Sequence, residues 1–373
     1  MRCGLGGQLC SALVSVAFFS LLSTADSWSM AVSGGVKHDT SSFARLKDCP
    51  RVGLGLAAIG RPGYINLGRD KEVGPGETRS KESFKENAFK VMDAAWSSGV
   101  RYFDAARSYG LAEQFLSEWL ASRNIDPSAV AVGSKWGYRY TADWRIDMGG
   151  EPHEVKDHSA EHLRSQSAES LALLQKHLRL YQIHSATLES GVLSNAIVLN
   201  ELRALKTGRG LRIGLSLSGT RQGETLRAAL ACREVEDDGG SPCLFDCVQA
   251  TFNLLEQSSG AALCEAREQG LEVIVKEAMA NGRLLKGPRA EPIVAAAARL
   301  GVPADQLCIA AVLAQPFAPL VLSGAATPEQ ASSNAGAEAI LAKLDQDALA
   351  ELVAQTRMDP KEYWDERSAL AWN

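Results

Sequence analysis

From residue 50 onward the sequence alternates between short apolar runs and longer stretches with apolar residues at helical spacing. Eight apolar runs are predicted to be strands, at residues 52–56, 101–104, 130–135, 180–184, 212–216, 247–252, 272–275 and 320–323. Between them, apolar residues recur every three or four positions, which indicates amphipathic helices. Ser83 and Glu86 form a predicted capping box before one helix, and Thr327 with Pro328 predicts the start of another. Eight strand–helix repeats are typical of either a (β/α)8 barrel or an open, doubly wound sheet.

Length and glycine pattern favour the barrel. A barrel of this kind needs about 250 residues, and residues 46–345 provide them with no linker that divides the chain. Gly53 and Gly55 resemble the glycine fingerprint of a doubly wound dinucleotide-binding fold, but that fingerprint must open a helix. Pro62 and Gly63 follow too closely for a helix to form there. We therefore predict an α/β fold, a (β/α)8 TIM barrel in a single domain over residues 46–345.

The two ends of the chain differ from this pattern. Arg2 is the only basic residue before Lys37, and the apolar run at residues 11–22 is too short to span a bilayer. Small residues follow the run, so residues 1–45 are predicted to be a secretory-type signal or targeting segment with a linker. Such a signal indicates the secretory pathway or a plastid rather than plain cytoplasm, although an uncleaved, disordered N-terminus is the alternative. Residues 346–373 are predicted to form a helical C-terminal extension that packs against or across the barrel.

Composition excludes several classes of protein. The 373 residues are 46% hydrophobic and 22% charged, as in ordinary soluble globular chains. The net charge of −5 and the aromatic content of 6% give no indication of nucleic-acid or anionic-membrane binding. The histidines and cysteines do not have metal-ligand spacing, so we predict no metal site. The expected partner is a small molecule, with no nucleic acid, no membrane after signal removal, and a monomer or weak homo-oligomer.

Four polar residues lie at or just after the ends of predicted strands, where barrel enzymes place their catalytic groups. They are Asp104, Tyr109, Lys135 and His184. Each has an ordinary structural interpretation when taken alone: a helix cap for Asp104, a rim aromatic for Tyr109, and loop residues for Lys135 and His184. Together they predict a converging set of a carboxylate, a phenol, an amine and an imidazole.

This combination of groups suits proton transfer to a carbonyl oxygen. A phenol has a pKa near 10 in solution and is a poor proton donor at neutral pH. A neighbouring ammonium is expected to lower that pKa, and a carboxylate would hold the ammonium charged and in place. The phenol could then protonate a carbonyl oxygen while hydride reaches the carbon, and an imidazole could orient the carbonyl.

The motifs around these residues resemble the aldo-keto reductases, which are NAD(P)-dependent (β/α)8 barrels. The resemblance covers about residues 50–340. It is carried by GVRYFDAARSYG at 99–110, VGSKWG at 132–137, LYQIH at 180–184, IGLS at 213–216, QATFN at 249–253 and LSGAATPEQASSN at 322–334. The resemblance implies that Asp104, Tyr109, Lys135 and His184 form the catalytic tetrad of that family, with Tyr109 as the general acid/base.

The same resemblance implies a set of cofactor-binding positions. They are Ser216, Gln249, Lys276, Leu284, Gly324, Thr327, Gln330 and Asn334. Ser216 and Gln249 match positions that bind the nicotinamide carboxamide, and Lys276 stands where the family has a ring that stacks on the nicotinamide. The segment from Gly324 to Asn334 matches the family segment that binds the adenosine phosphates.

The expected cofactor is NADP, with NAD left open. Gly324 and Gln330 replace cations that commonly bind the 2′-phosphate of NADP, and Arg283 or Lys286 could compensate for their loss. The resemblance implies an oxidoreductase that interconverts an aldehyde, ketone or sugar with its alcohol. Two alternatives remain: an aldose 1-dehydrogenase, and a cofactor-binding regulatory subunit of an ion channel with little turnover.

The substrate pocket is only partly predictable. Tyr64 and Trp136 are candidate pocket walls. The long polar loop at residues 137–158 is predicted to be a lid or substrate loop, because long loops in compact domains are usually functional or mobile.

Overall fold

The computed structural model describes residues 49–235 and 241–373. The signal predicted at residues 1–45 lies outside the described residues. The strands of the described chain are β1 (Val52–Gly55), β2 (Tyr102–Asp104), β3 (Ala131–Trp136), β4 (Tyr138–Tyr140), β5 (Glu154–Lys156), β6 (Leu178–Ala186), β7 (Arg212–Leu217), β8 (Cys247–Thr251), β9 (Glu272–Lys276) and β10 (Leu320–Ser323). The α-helices are α1 (Arg69–Val73), α2 (Lys81–Ser97), α3 (Ala112–Ser122), α4 (Ala160–Leu174), α5 (Ala196–Arg209), α6 (Gln222–Leu230), α7 (Gly260–Glu268), α8 (Glu291–Leu300), α9 (Ala304–Leu313), α10 (Pro328–Ala335), α11 (Gln346–Thr356) and α12 (Pro360–Ser368).

Eight parallel strands close into a barrel in the order β1-β2-β3-β6-β7-β8-β9-β10. β1 closes the ring by pairing with β2 on one side and with β10 on the other. The predicted (β/α)8 barrel is therefore confirmed. The two short strands β4 and β5 were not predicted; they form an antiparallel hairpin within the 137–158 loop.

The barrel interior is filled by side chains that point inward from alternate positions, as expected for a packed barrel core. The buried apolar residues there are Tyr102, Ala131, Leu180, Cys247, Ile274, Leu320 and Leu322. Glycines on the neighbouring strands make room for Tyr102. A Cβ at Gly133 would lie 2.2 Å from the Tyr102 hydroxyl, and one at Gly53 would lie 2.8 Å from its ring. The Tyr102 hydroxyl can therefore reach Asp104 at the end of the same strand.

Side-chain caps determine where the site-forming helices begin. Thr327 caps α10 as predicted, because its hydroxyl accepts from the Gln330 N–H at 3.3 Å and Pro328 occupies the first turn. The predicted capping box at Ser83 was wrong by one turn. Helix α2 begins after Ser80, whose hydroxyl accepts from the Ser83 N–H at 3.1 Å.

The last residues of the chain lie across the carboxyl ends of the barrel strands. The amide of Asn253, just after β8, donates to the hydroxyl of Tyr363 on α12 at 3.1 Å. The tail after α12, residues 369–373, then reaches the loop after β1. There the backbone groups of Asn373 and Tyr64 exchange two hydrogen bonds of 3.1 Å.

Over residues 49–235 and 241–373, no single helix has the length and apolar character needed to cross a membrane. Helices α8 and α9 meet those criteria only as a pair, bent by 92°. Within the same residues, no group of three or more His, Cys, Asp or Glu side chains could hold a metal ion.

Candidate active site

A cavity of about 510 Å³ lies at the carboxyl ends of the barrel strands. That volume is within the range of small-molecule sites. The ends of β1, β2, β6, β7, β8, β9 and β10 contribute to its lining. The predicted site residues that line it are Asp104, Tyr109, His184, Ser216, Gln249, Lys276, Gly324, Gln330 and Asn334.

A buried ion pair between Asp104 and Lys135 lies at the base of this cavity. Both side chains are almost fully buried. The Lys135 ammonium donates to the Asp104 carboxylate and, at 2.9 Å, to the carbonyl of Ala105. The other carboxylate oxygen of Asp104 accepts from the Tyr102 hydroxyl at 3.2 Å and from the Gln249 amide at 3.0 Å. This set of hydrogen bonds holds the ammonium in one position beneath Tyr109.

Tyr109 lies in the loop after β2, with two cations close to its ring. The Lys135 ammonium is 4.8 Å from the ring centroid, and the Arg61 guanidinium carbon is 5.1 Å from it. The predicted lowering of the Tyr109 pKa was wrong. Burial raises the pKa well above its usual value and the Asp104 carboxylate raises it further, while Arg61 lowers it. Tyr109 is therefore a neutral phenol at physiological pH.

His184 faces Tyr109, with their ring centroids 5.4 Å apart. It lies inside β6 rather than at its end, because the strand continues to Ala186. The pairing register with β7 shifts between Ile183 and Ala186, and Ser185 has a positive φ of 52°. Burial lowers the pKa of His184 well below its usual value, and the positive charge of Lys135 lowers it further. The imidazole is therefore neutral and has one N–H to donate.

A second histidine, His158, contacts the backbone of His184 and is also neutral. One ring nitrogen of His158 lies 2.9 Å from the backbone carbonyl of His184. Its ring contacts that of Trp136, with a centroid distance of 5.6 Å. Burial lowers the pKa of His158 to about 4.

These two histidines predict a loss of stability in mild acid. The unfolded chain takes up their protons near pH 6.5, whereas the folded chain cannot protonate His158 until about pH 4. Each histidine should therefore lower the free energy of unfolding by about 2 kcal/mol between pH 7 and pH 5. Urea denaturation at the two pH values measures the effect, and His158→Gln should remove about half of it. A free energy of unfolding that stays constant from pH 7 to pH 5 would contradict neutral burial of both rings.

Two buried amide oxygens in the cavity lining have no hydrogen-bond partner among the described residues. They belong to Asn334 and Asn281. The Asn334 amide nitrogen donates to the Ser323 hydroxyl at 2.7 Å, which leaves its oxygen free to accept. Buried acceptors of this kind are costly unless a ligand supplies a donor. The amino and hydroxyl groups of an adenine nucleotide are such donors. The lining therefore fits a nicotinamide dinucleotide.

Three further predicted cofactor residues line the cavity, and the side chains of two of them have protein partners. Lys276 donates to the Thr251 hydroxyl at 2.7 Å, and burial lowers its pKa to about 8. The Ser216 hydroxyl accepts from the Ser185 N–H at 2.9 Å. Gly324 presents its backbone, with nothing within 4 Å of the position that a Cβ would take.

Five residues predicted for the site do not line the cavity. Lys135 lies beneath it, paired with Asp104. Leu284 is fully buried in the hydrophobic core, as expected for an apolar side chain that gains by leaving water. Thr327 uses its hydroxyl to cap α10. Trp136 is fully buried behind the lining and forms no pocket wall. Arg283 packs on the Tyr363 ring at 4.2 Å and holds α12, so it is not available to a phosphate. By contrast, Tyr64 and Lys286 do line the cavity.

Sequence reasoning missed the cluster that covers Tyr109. Arg61 is 2% exposed and its guanidinium donates to Glu154 at 2.8 Å. Its guanidinium carbon also lies 4.7 Å from the Trp372 ring centroid and 5.0 Å from that of Tyr64. These residues come from the loop after β1, from β5 and from the C-terminal tail, and no local pattern links them.

A second missed pair is Glu277 with Arg367. Glu277 directly follows Lys276, lines the cavity and has a positive φ of 60°. Arg367 of α12 donates to both of its carboxylate oxygens, at 2.5 to 3.0 Å. Despite the burial of Glu277, the charges of Arg367 and Lys276 lower its pKa to about 2. The partners are 90 residues apart, so no local sequence pattern could have predicted the pair.

Comparison with known proteins identifies the same family. A family model described as the aldo/keto reductase family matches residues 72–356. Aldo-keto reductase str7 of Strobilurus tenacellus is 23% identical over 245 residues, which are 65% of this chain and 65% of that protein. Norsolorinic acid reductase B of Dothistroma septosporum is 31% identical over 160 residues, which are 41% of this chain and 37% of that protein. The chain thus matches less than two thirds of the length of either relative.

A solved structure shows the same fold. It is that of MGS-M4, an aldo-keto reductase enzyme from a Medee basin deep-sea metagenome library, with a TM-score of 0.57 and 17% identity. The match covers 83% of this chain and 92% of that one. The family resemblance predicted from the tetrad motifs is confirmed. The chain belongs to the aldo/keto reductase family, a family of nicotinamide-dependent oxidoreductases that act on carbonyl compounds.

Proposed function

We propose that this protein is an NAD(P)-dependent oxidoreductase that interconverts an aldehyde or ketone with its alcohol, with Tyr109 as the general acid/base. One observation carries the proposal. The Tyr109 phenol and the His184 imidazole face the same cavity, with ring centroids 5.4 Å apart, above the buried Asp104–Lys135 pair. A purely structural role would not need four ionisable groups to converge at one end of the barrel.

Each residue of the tetrad has a defined task in this proposal. The bound nicotinamide supplies or accepts the hydride. The neutral His184 donates an N–H that orients the carbonyl oxygen. Tyr109, which burial keeps protonated, gives its proton to that oxygen during reduction. The Lys135 ammonium, 4.8 Å from the ring, then stabilises the phenolate, and Asp104 fixes the ammonium in place.

The cofactor would extend from the tetrad toward α10. Ser216, Gln249 and Lys276 are the proposed contacts for the nicotinamide end. The backbone at Gly324, with Gln330 and Asn334, is proposed to hold the adenosine end. The buried acceptor oxygen of Asn334 supports this direction, because an adenine amine would satisfy it.

We retain the predicted division of the chain as part of the proposal. It consists of a signal or targeting segment at residues 1–45, the barrel at residues 46–345 and an extension at residues 346–373. Contacts from α12 and the tail to Glu277 and Tyr64 suggest that the extension completes the substrate side of the cavity.

Steady-state turnover of the full-length chain tests the proposed activity. Oxidation of reduced cofactor should be seen with at least one class in a panel of aldehydes and ketones. Reduction of oxidised cofactor by free aldoses alone would instead favour an aldose 1-dehydrogenase. Tight cofactor binding with no turnover in either direction would overturn the proposal and favour a regulatory, channel-subunit-like protein.

A further inference from the structure

We propose that the Glu72 carboxylate makes this site selective for NADH over NADPH. The inference rests on the proposed function, because it concerns how the same cavity holds its cofactor. It departs from the NADP preference that the family resemblance implies.

Glu72 lies where three elements meet at the α10 side of the cavity. One of its carboxylate oxygens accepts from the Gln330 amide at 3.0 Å and from the Lys286 ammonium at 3.2 Å. Glu72 belongs to α1, Lys286 to the loop after β9 and Gln330 to α10, and all three line the cavity. The Glu72 side chain is only 15% exposed, so its charge is poorly screened by water.

A second carboxylate lies on the same side. Asp305 in the first turn of α9 also lines the cavity. The amide of the next residue, Gln306, donates to the backbone carbonyl of Ser333 at 2.8 Å, which places the start of α9 beside α10. Asn334, with its unpartnered amide oxygen, follows Ser333. The Asp305 carboxylate therefore adds a second negative charge on the α10 side of the cavity.

No cation in the described lining is free to bind a phosphate dianion. Lys286 is paired with Glu72, Arg61 with Glu154, and both Lys276 and Arg367 with Glu277. A phosphate monoester carries a charge of about −1.5 to −2 at neutral pH and needs positive partners. A 2′-phosphate on this side would meet the Glu72 carboxylate instead. A ribose 2′-hydroxyl can donate a hydrogen bond to the same carboxylate, so NADH gains a contact where NADPH is repelled.

Binding of both reduced cofactors to the full-length chain tests the inference. Quenching of tryptophan fluorescence can report binding, because Trp372 lines the cavity. The wild-type chain should bind NADH at least about tenfold more tightly than NADPH. Glu72→Gln should tighten NADPH binding by about tenfold, because it removes the repelling charge and releases Lys286. Its effect on NADH should be a loss of a few-fold at most. Glu77→Gln, an exposed carboxylate nearby that does not line the cavity, is the matched control and should leave both Kd values unchanged.

A second variant and two adenosine phosphates that lack the nicotinamide test the selectivity at the adenosine end alone. Gln330→Lys should also tighten NADPH binding, since it adds an ammonium on the same side. Adenosine 2′,5′-bisphosphate should compete with bound NADH more weakly than ADP does in the wild type, and this order should reverse in Glu72→Gln. Wild-type binding of NADPH as tight as that of NADH, or a ratio unchanged in both variants, would overturn the selectivity and leave the proposed function standing. Binding of neither cofactor would overturn both proposals.

Discussion

Replacing Tyr109 by phenylalanine is expected to lower kcat by about 10²–10⁴-fold, the usual contribution of a positioned general acid. The substitution removes one hydroxyl from a partly buried ring and leaves the flanking Arg61 and Lys135 in place. The Kd of the reduced cofactor should change little, because only the proton donor is lost. Steady-state kinetics and fluorescence titration of the same preparation measure the two quantities.

Tyr140→Phe provides a matched control for the loss of a phenol hydroxyl. Tyr140 lies at the end of β4 and does not line the cavity, so kcat should stay at the wild-type value. A Tyr109→Phe variant that keeps most of its turnover would exclude Tyr109 as the acid. Equal losses of turnover and cofactor binding would mean that Tyr109 acts mainly in binding.

Replacing Lys135 by methionine should destabilise the fold by about 3–5 kcal/mol, because it leaves the buried Asp104 carboxylate without its counter-ion. Asp104 cannot recover solvation by turning outward, because Tyr102 and Gln249 hold its other oxygen. Urea denaturation, followed by tryptophan fluorescence, gives the free energy of unfolding. Activity should be lost even where the variant is still folded.

Lys90→Met is the matched control for this substitution. Lys90 pairs with Glu86 on the exposed surface of α2, where both side chains are more than 60% exposed. Its loss should change the free energy of unfolding by less than about 0.5 kcal/mol, since exposed pairs contribute little. Adding Asp104→Asn to Lys135→Met should recover part of the lost stability, because no buried charge then remains. If Lys135→Met lowers the free energy of unfolding no more than Lys90→Met does, the buried Asp104 carboxylate does not depend on Lys135 for its stabilisation.

The residues at strand ends could be predicted because the fold itself brings them together. Asp104, Lys135 and His184 are far apart in the sequence, but the carboxyl ends of parallel barrel strands all meet at one face. Once the strands are located, the convergence of these side chains follows from topology. The family motifs add the roles of the residues, which topology alone does not provide.

The protonation state of Tyr109 could not be predicted in this way. The sequence indicated a nearby ammonium, which by itself would lower the pKa of a phenol. The observed direction is set by burial and by the negative charge of the Asp104 carboxylate. Burial of the ring depends in turn on Arg61 and the C-terminal tail, and these reach the site only through long-range contacts.

The first residue of helix α2 could not be predicted exactly for a similar reason. Ser80 and Ser83 are one turn apart, and either hydroxyl could cap α2. The choice is made by Arg79, whose buried guanidinium donates to the carbonyls of Pro62 and Gly74 and so fixes the chain just before Ser80. Contacts between residues this far apart cannot be inferred from the local sequence.

The pairing of acids with bases around the cavity also determines how the site responds to salt. Arg61, Lys276, Lys286, Arg367 and the underlying Lys135 are matched in number by Glu72, Asp104, Glu154, Glu277 and Asp305 among the described residues. With His184 neutral, the opposing charges cancel at distances beyond a Debye length, about 8 Å at physiological ionic strength. A cavity of this kind exerts little long-range electrostatic attraction on a charged molecule. Electrostatic steering therefore does not raise its association rate. Capture of a neutral carbonyl compound would then depend on diffusion and shape, and would proceed alike in dilute buffer and in concentrated salt.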